Sequence, residues 1–227
     1  MIVAIHQPQY LPWMGYFHKM IVADAFCLLD NVQYKKNEWQ NRNRIKTANG
    51  WQWLTVPVSF QFPEKICEIK IINNTHWVKK HIQALNTNYR KAPYFDEVMG
   101  IITSVYEREW ERLCDLNKTL IQLLRDYLGV GHKPIATASD LEGLSDEPTM
   151  RLIDICNYFG ADTYLSGPDG PKYMDMDAFN RNGIKVMVQQ FQHPQYPQCF
   201  GTFQSHMSII DLLFNCGPNS YEVIASS

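Results

Sequence analysis

Two histidines lie close together near the start of the chain, in a segment rich in proline and aromatic residues. The segment reads HQPQYLPWMGYFHK (6–19), and its first histidine directly follows the apolar run 2–5. One imidazole at a strand end and a second in the opening turns of a helix could steady a phosphate in transfer, together with the N–H groups of that helix start. The candidate catalytic residues are His6 and His18, and the candidate binding residues are Gln7, Tyr10, Trp13 and Gly15.

A second candidate segment is polar and basic. Five basic residues stand against one glutamate between positions 35 and 46. Arginines at i and i+2 can hold phosphate groups bidentately, and Trp39 offers a surface for stacking. A solvated loop is the alternative interpretation of such a charge run. The ligand-binding residues expected here are Asp30, Gln33, Lys36, Trp39, Gln40, Arg42, Asn43 and Arg44.

The third candidate combines two stretches of the C-terminal half. Ser166 and Gly167 end a predicted strand, and a glycine lets a ligand approach the backbone closely. His193 follows another predicted strand, and an unperturbed imidazole titrates near neutral pH. A turn followed by a capped helix is the alternative interpretation. We expect proton transfer from His193 and Tyr173, and substrate binding by Ser166, Gly167, Gln190 and His206.

Alternating apolar strands and helical stretches predict how these segments are positioned. A strand at 2–5, a helix at 16–23 and a strand at 25–29 form a βαβ unit, which implies a parallel sheet and a right-handed crossover. Further strands are predicted near 135, at 162–167 and at 184–191. In an open α/β sheet, ligands bind beyond the carboxyl ends of the strands, where all three candidate segments fall.

The expected fold class is α/β, with a central, mostly parallel, Rossmann-like sheet similar to that of the HIGH-type nucleotidyltransferases, although their tight His-x-x-His spacing is absent. We expect one domain, 1–227, with a basic loop plus β insertion at 31–74 and a helical insertion at 75–130. The runs 51–58 and 65–72 are predicted to form an antiparallel pair. Helices are expected at 75–86, from Pro93, at 107–128, 145–159, 174–180 and 206–215, the last capped by Ser205.

Composition excludes several classes of protein. With 227 residues, 45% of them hydrophobic, and a net charge of −2, the chain suits a globular domain and not an electrostatic nucleic-acid binder. No apolar run reaches the ~18 residues of a membrane span, and the start lacks a signal peptide's basic region, so a cytoplasmic location is expected. The six scattered cysteines favour free thiols. No metal-type histidine spacing and no GxSxG elbow occur, so neither a metal site nor a hydrolase serine is expected.

Several segments together resemble the WbqC-like family of bacterial proteins. They are HQPQYLPWMGYFHK (6–19), LDNVQY (29–34), WQNRNRIK (39–46), WQWLTVPV (51–58), YLSG (164–167) and IIDLLFNCG (209–217). The resemblance runs nearly end to end. It implies a role in making O-antigen and related surface polysaccharides, with transfer of glycine or another aminoacyl group as one suggested chemistry. The resemblance does not identify catalytic residues.

Together these observations predict an enzyme that N-acylates an amino sugar carried on a nucleotide. The expected partner is a small molecule, an amino sugar or a sugar nucleotide; no cofactor is fixed by the motifs, and ATP and a sugar nucleotide are the candidates. One alternative is a non-catalytic sugar-nucleotide-binding protein. Another is a glycosyltransferase, whose DxD motif has its nearest counterpart in Asp175-Met-Asp177, at a predicted helix start where it is expected to cap. The sequence indicates no oligomeric state.

Overall fold

A five-stranded parallel sheet forms the centre of the computed structural model, which describes residues 1–227. In chain order the strands and helices are β1 (Ile2–His6), α1 (Met14–Val22), β2 (Ala25–Leu28), β3 (Arg42–Thr47), β4 (Gly50–Thr55), β5 (Val58–Ser59), β6 (Lys70–Ile71), α2 (Trp77–Tyr89), α3 (Phe95–Tyr106), α4 (Leu113–Tyr127), β7 (Ile135–Thr137), α5 (Pro148–Tyr158), β8 (Thr163–Ser166), α6 (Met176–Arg181), β9 (Lys185–Val188), α7 (Ile209–Cys216) and α8 (Ser220–Ala225).

The order of the central strands is β7-β2-β1-β8-β9, and every neighbouring pair is parallel. Numbered by their appearance in the chain, these strands follow the order 3-2-1-4-5 of Rossmann sheets. The direction of winding therefore reverses between β1 and β8. The predicted α/β fold with a central parallel sheet is confirmed.

The two faces of the sheet bury different side chains of the same strands. On β1, Ala4 belongs to the larger hydrophobic cluster, whereas Val3 and Ile5 belong to the smaller one. The larger cluster joins the sheet to α1, α7 and the helices α2 to α4, and the smaller joins it to α5 and α6. Apolar residues at consecutive positions are thus explained by burial on both faces, as expected for parallel strands.

The antiparallel pairing differs from the prediction for 51–58 and 65–72. β4 pairs with β3, from Arg42 opposite Thr55 to Thr47 opposite Gly50. Of the pairing predicted between 51–58 and 65–72, only the short contact of β5 with β6 forms. The segment 42–47 is therefore a strand and not a loop. Its basic residues conceal the alternation, because Asn43 and Ile45 point inward while both arginines remain partly exposed. The two-residue hairpin turn is Ala48-Asn49, and Gly50, with φ 118°, begins β4 opposite Thr47.

Several helix boundaries also differ from the prediction. The helix expected from Glu107 begins at Leu113, and Trp110 lies in the preceding loop, where its indole N–H donates to the Val105 carbonyl at 2.8 Å. The last predicted helix begins at Ile209 and is capped by Ser208 instead of Ser205. It is followed by α8, which the pattern did not predict. None of the helices combines the length and apolar character needed to cross a membrane.

Candidate functional site

The point where the sheet reverses its winding brings together two of the predicted segments. His6 ends β1 and Ser166 ends the neighbouring strand β8. Ser166 is buried, and its hydroxyl donates to the Gly167 carbonyl at 3.0 Å. A Cβ at Gly170 would overlap the Ser166 hydroxyl, so this glycine permits the tight turn after β8. Ligands of Rossmann-like sheets bind outside the strand ends at this reversal, which we call the switch point.

The protonation of His6 follows from its contact with the backbone. Its Nδ1 lies 3.2 Å from the Gln7 carbonyl oxygen, and only a protonated ring nitrogen can bond to that acceptor. The lone pair is therefore on Nε2, which has no partner within the protein. Burial, together with the charge of Lys19, lowers the pKa of His6 to about 3. His6 is neutral throughout the physiological range.

His18 carries its proton on the opposite nitrogen. The amide nitrogen of Gln189 donates to the Gly15 carbonyl at 2.9 Å, which fixes the orientation of that amide. The same nitrogen lies 2.9 Å from His18 Nδ1, which must therefore accept and leave the proton on Nε2. Burial lowers the pKa of His18, so it too is neutral. Gln189 is the residue directly after β9; the strand-end rule points to it, although Gln190, which is exposed, was predicted instead.

Aromatic rings join α1 to the C-terminal loop. Trp13 stacks on His206 at 5.5 Å between ring centroids and meets Phe191 edge-on at 5.4 Å. Phe191 also contacts His18, at 5.1 Å. A Cβ at Gly15 would overlap the Trp13 ring, so this glycine sets the position of the indole. Trp13, Gly15, His18 and His206, all predicted site residues, thus lie in one connected cluster.

His193 has both ring nitrogens occupied inside the protein. Its Nδ1 lies 2.9 Å from the Pro194 carbonyl, and its Nε2 accepts from the His206 backbone N–H at 3.0 Å. That second bond supports the left-handed backbone of His206, whose φ is 60°. Burial lowers the pKa of His193. The proton-transfer role expected of His193 requires one of these two hydrogen bonds to break. A structural role, in which His193 holds His206 against Trp13, keeps both bonds.

The hairpin of β3 and β4 carries a surface of tryptophan and arginine, which we call the Trp–Arg platform. It consists of Trp39, Arg42, Arg44, Trp51 and Trp53. The Arg42 guanidinium lies 4.3 Å from the Trp53 ring, and that of Arg44 lies 5.2 Å from the Trp51 ring. Trp51 and Trp53 are 43% and 36% exposed, which is high for indoles, so part of each ring remains accessible to a ligand.

Both arginines of the Trp–Arg platform donate hydrogen bonds within the protein. Arg44 Nη2 donates to the His206 carbonyl at 3.1 Å, and Arg42 Nη2 donates to the Asn37 carbonyl. The Nε atoms of both are buried without a partner. The bond from Arg44 connects the Trp–Arg platform to the aromatic cluster around Trp13. Gln40 makes a second connection, because its amide donates to Gln7 Oε1 at 2.7 Å, one residue from His6.

Other predicted site residues have structural roles or lie apart from the switch point. Tyr10 is fully buried, where its hydroxyl contacts Tyr106 and His81 Nδ1, the latter at 2.9 Å. Asp30 is also fully buried and accepts from the backbone N–H and the hydroxyl of Ser139 at 2.9 and 2.7 Å. Burial of these groups inside hydrogen-bonded networks argues against ligand contact. Asn43 is buried, and its amide donates to the Leu11 carbonyl at 2.8 Å. Gln33, Lys36 and Tyr173 are exposed.

Lys19 is a residue of this region that the sequence patterns do not single out. It is only 4% exposed, and burial lowers its pKa to about 8. Its ammonium approaches Gly167, where an added Cβ would lie 3.5 Å from Nζ. A lysine on a helix is ordinarily predicted to be solvated, and no pattern in the sequence reveals that this one is buried beside β8.

A separate open cavity of about 580 Å³ lies away from the switch point. It is formed by the start of α2 and the end of α3, with His76, Trp77, Tyr106 and Arg108 among its lining residues. None of the predicted site residues lines it. The imidazoles predicted to take part in chemistry therefore lie outside this cavity.

Comparison with known proteins agrees with the motifs of this edge. The model of the WbqC-like protein family matches residues 7–223. A protein of Mycobacterium tuberculosis, named as uncharacterized protein Rv1507c, is 40% identical over 219 residues, covering 95% of this chain and 94% of that protein. No solved structure matches the chain. The family match spans nearly the whole sequence, and the chain belongs to the WbqC-like protein family.

Proposed function

We propose that the protein transfers an acyl or aminoacyl group, such as glycine, to the amine of a nucleotide-linked amino sugar in surface-polysaccharide synthesis. The observation that carries the proposal is a pair of neutral imidazoles in different tautomers. His6 Nε2 is unprotonated and can accept a proton, whereas His18 Nε2 carries a hydrogen and can donate a hydrogen bond. Acyl transfer to an amine uses both kinds of group. A base accepts the amine proton, and a donor stabilises the negative charge that develops on the carbonyl oxygen.

The reaction assigns one step to each imidazole. The amine nitrogen attacks the acyl carbonyl carbon, so a C–N bond forms and the bond to the leaving group breaks, its electron pair going to the leaving group. The amine proton passes to His6 Nε2, while His18 Nε2–H donates to the carbonyl oxygen. A base of pKa about 3 is weak, and an anionic substrate group beside His6 raises that pKa towards the range useful for proton transfer.

The Trp–Arg platform suits the remainder of such a substrate. Indole faces stack on sugar rings and nucleobases, and each base stacked on an aromatic side chain contributes about 1–3 kcal/mol. Trp51 and Trp53 provide those faces, and the nearby Arg42 and Arg44 provide positive charge. The bonds from Arg44 to His206 and from Gln40 to Gln7 support a single binding region that extends from the Trp–Arg platform to the imidazoles.

The alternative of a metal-dependent glycosyltransferase is weakened by the role of Asp175, the first carboxylate of the DxD-like sequence Asp175-Met-Asp177. Asp175 Oδ1 accepts from the Ala178 backbone N–H at 3.0 Å, and Asp175 Oδ2 pairs with Arg181 at 3.3 Å. The carboxylate therefore caps α6, as its sequence position predicts. Asp175 follows the turn after β8 instead of lying among the imidazoles.

Mass spectrometry of reaction mixtures tests the proposal. Purified protein is incubated with amino-sugar nucleotides and with three donor classes: ATP plus amino acids, acyl thioesters, and aminoacyl esters. We expect an N-acylated product with at least one class, and none with hydroxyl analogues of the same sugars. Carboxylate-dependent exchange of pyrophosphate into ATP identifies adenylation as the activating step. His18→Ala should lower the rate by about 10²–10³, as for loss of one oxyanion donor. Binding of a sugar nucleotide without any product would favour the non-catalytic alternative.

A further inference from the structure

The ammonium of Lys19 has no partner inside the protein. It makes no hydrogen bond and no ion pair, although the side chain is only 4% exposed. Desolvation is the sole cause of its lowered pKa, which means that no carboxylate compensates its charge. Buried charges in proteins are normally paired. Lys19 Nζ is not among the fully enclosed polar atoms that lack a partner, so a partner from outside the protein can reach it.

Another buried lysine shows what a structural role looks like in this fold. Lys46 is 2% exposed, and its ammonium donates to the Phe200 and Thr202 carbonyls, both at 2.6 Å. Those bonds hold the C-terminal loop on the β3–β4 hairpin. Lys19 holds nothing of this kind, so a purely structural role does not explain why its charge is kept inside the molecule.

The surroundings of Lys19 provide space for a ligand atom. The ammonium faces the start of the loop after β8, where Gly167 has no side chain and an added Cβ would come within 3.5 Å of Nζ. His6 on β1 is the titratable group whose charge state Lys19 influences, and it is neutral. The crevice between β1 and β8 thus combines one positive charge, a neutral imidazole and an open stretch of backbone.

We propose that Lys19 binds an oxyanion of the substrate at the switch point, a phosphate of the nucleotide or the carboxylate of the acyl donor. The ammonium donates to an oxygen of that group, and the bare backbone of Gly167 leaves room for it. The proposed function supplies the identity of the ligand, whereas the anion site itself does not depend on acyl transfer. The anion also sits beside His6, where its charge strengthens the base.

Calorimetry with simple anions tests the site. Pyrophosphate and glycine are titrated separately into the wild type, Lys19→Met and Gly167→Ala, with Gly100→Ala as control, since a Cβ at the exposed Gly100 of α3 meets no atom within 4 Å. We expect the wild type to bind at least one anion, which identifies the source of the oxyanion. Loss of one charge-assisted hydrogen bond should weaken that binding about ten- to a hundredfold in Lys19→Met. Gly167→Ala should weaken it less, and Gly100→Ala should leave it unchanged.

The dependence on pH provides a second readout. Affinity for the anion should fall as the pH rises through about 8, where Lys19 loses its proton. Equal affinities in the wild type and Lys19→Met, or no binding of either anion, would overturn the anion site whatever the product assay gives. Lys19-dependent binding without an acylated product from any donor would instead overturn the proposed function and leave the anion site in place.

Discussion

Replacement of Lys19 by methionine should stabilise the folded protein, although it removes a charged residue from the candidate site. Burial lowers the pKa of Lys19 from its ordinary 10.5 to about 8. Each pKa unit corresponds to about 1.36 kcal/mol, so the buried ammonium costs about 3 kcal/mol at pH 7. Methionine keeps the apolar stem without the charge. Lys19→Met should therefore raise the free energy of unfolding at pH 7 by up to about 3 kcal/mol.

The difference in the free energy of unfolding between the wild type and Lys19→Met should depend on pH. Between about pH 8 and 10.5 the unfolded chain holds the Lys19 proton more tightly than the folded protein does. The wild type should therefore gain stability as the pH rises through that window, and Lys19→Met should lack this gain. Urea unfolding at pH 7, 8, 9 and 10 measures both effects.

Lys46→Met is the matched control, because that buried ammonium donates to two backbone carbonyls. It should destabilise the protein by about 2 kcal/mol or more, since it leaves two carbonyls without a donor. If Lys19→Met were destabilising at pH 7, or if its stability followed the same pH dependence as the wild type, Lys19 would have a partner that the structure does not contain.

Three further changes probe the architecture around the site. Gly15→Ala should displace the Trp13 ring and lower turnover while the far-ultraviolet circular dichroism stays the same, and unchanged turnover would show that the position of Trp13 is immaterial. Asp211→Ala removes the carboxylate that accepts from Tyr89, Tyr196 and Gln198, so urea unfolding should show a loss of about 3 kcal/mol; a loss below ~1 kcal/mol would mean that this network does not anchor the C-terminal loop. Trp53→Ala should weaken sugar-nucleotide binding in calorimetry by about 1–3 kcal/mol, whereas equal affinity would remove the Trp–Arg platform from the binding region.

The sequence predicts the part of the site that depends on local patterns. Apolar runs that end in polar residues identify β1 and β8, and parallel pairing then brings His6 and Ser166 to one edge. After β9 the prediction named Gln190, whereas the residue that orients His18 is the preceding Gln189. The strand predictions succeed because strands buried on both faces have a composition that few other elements share.

Other parts of the site depend on contacts between distant segments, which periodicity does not encode. β3 is hidden because its inward positions include Asn43, a polar residue satisfied by the Leu11 carbonyl at 2.8 Å. Tyr10 and Asp30 have the types and positions of ligand-binding residues, yet both are buried and bond to groups far away in the chain. Lys19 is the reverse case, since only the packing of α1 under the loop after β8 reveals that its charge is buried.

A crystal structure of the protein with a bound amino-sugar nucleotide tests most directly the claim that the switch point between β1 and β8 is the functional site. The expected complex has an anionic group of the ligand within hydrogen-bond distance of Lys19 Nζ, the sugar amine near His6 Nε2, and the ring of the sugar or base on the Trp–Arg platform. A nucleotide bound in the cavity between α2 and α3, with Lys19 and both imidazoles untouched, would contradict that claim.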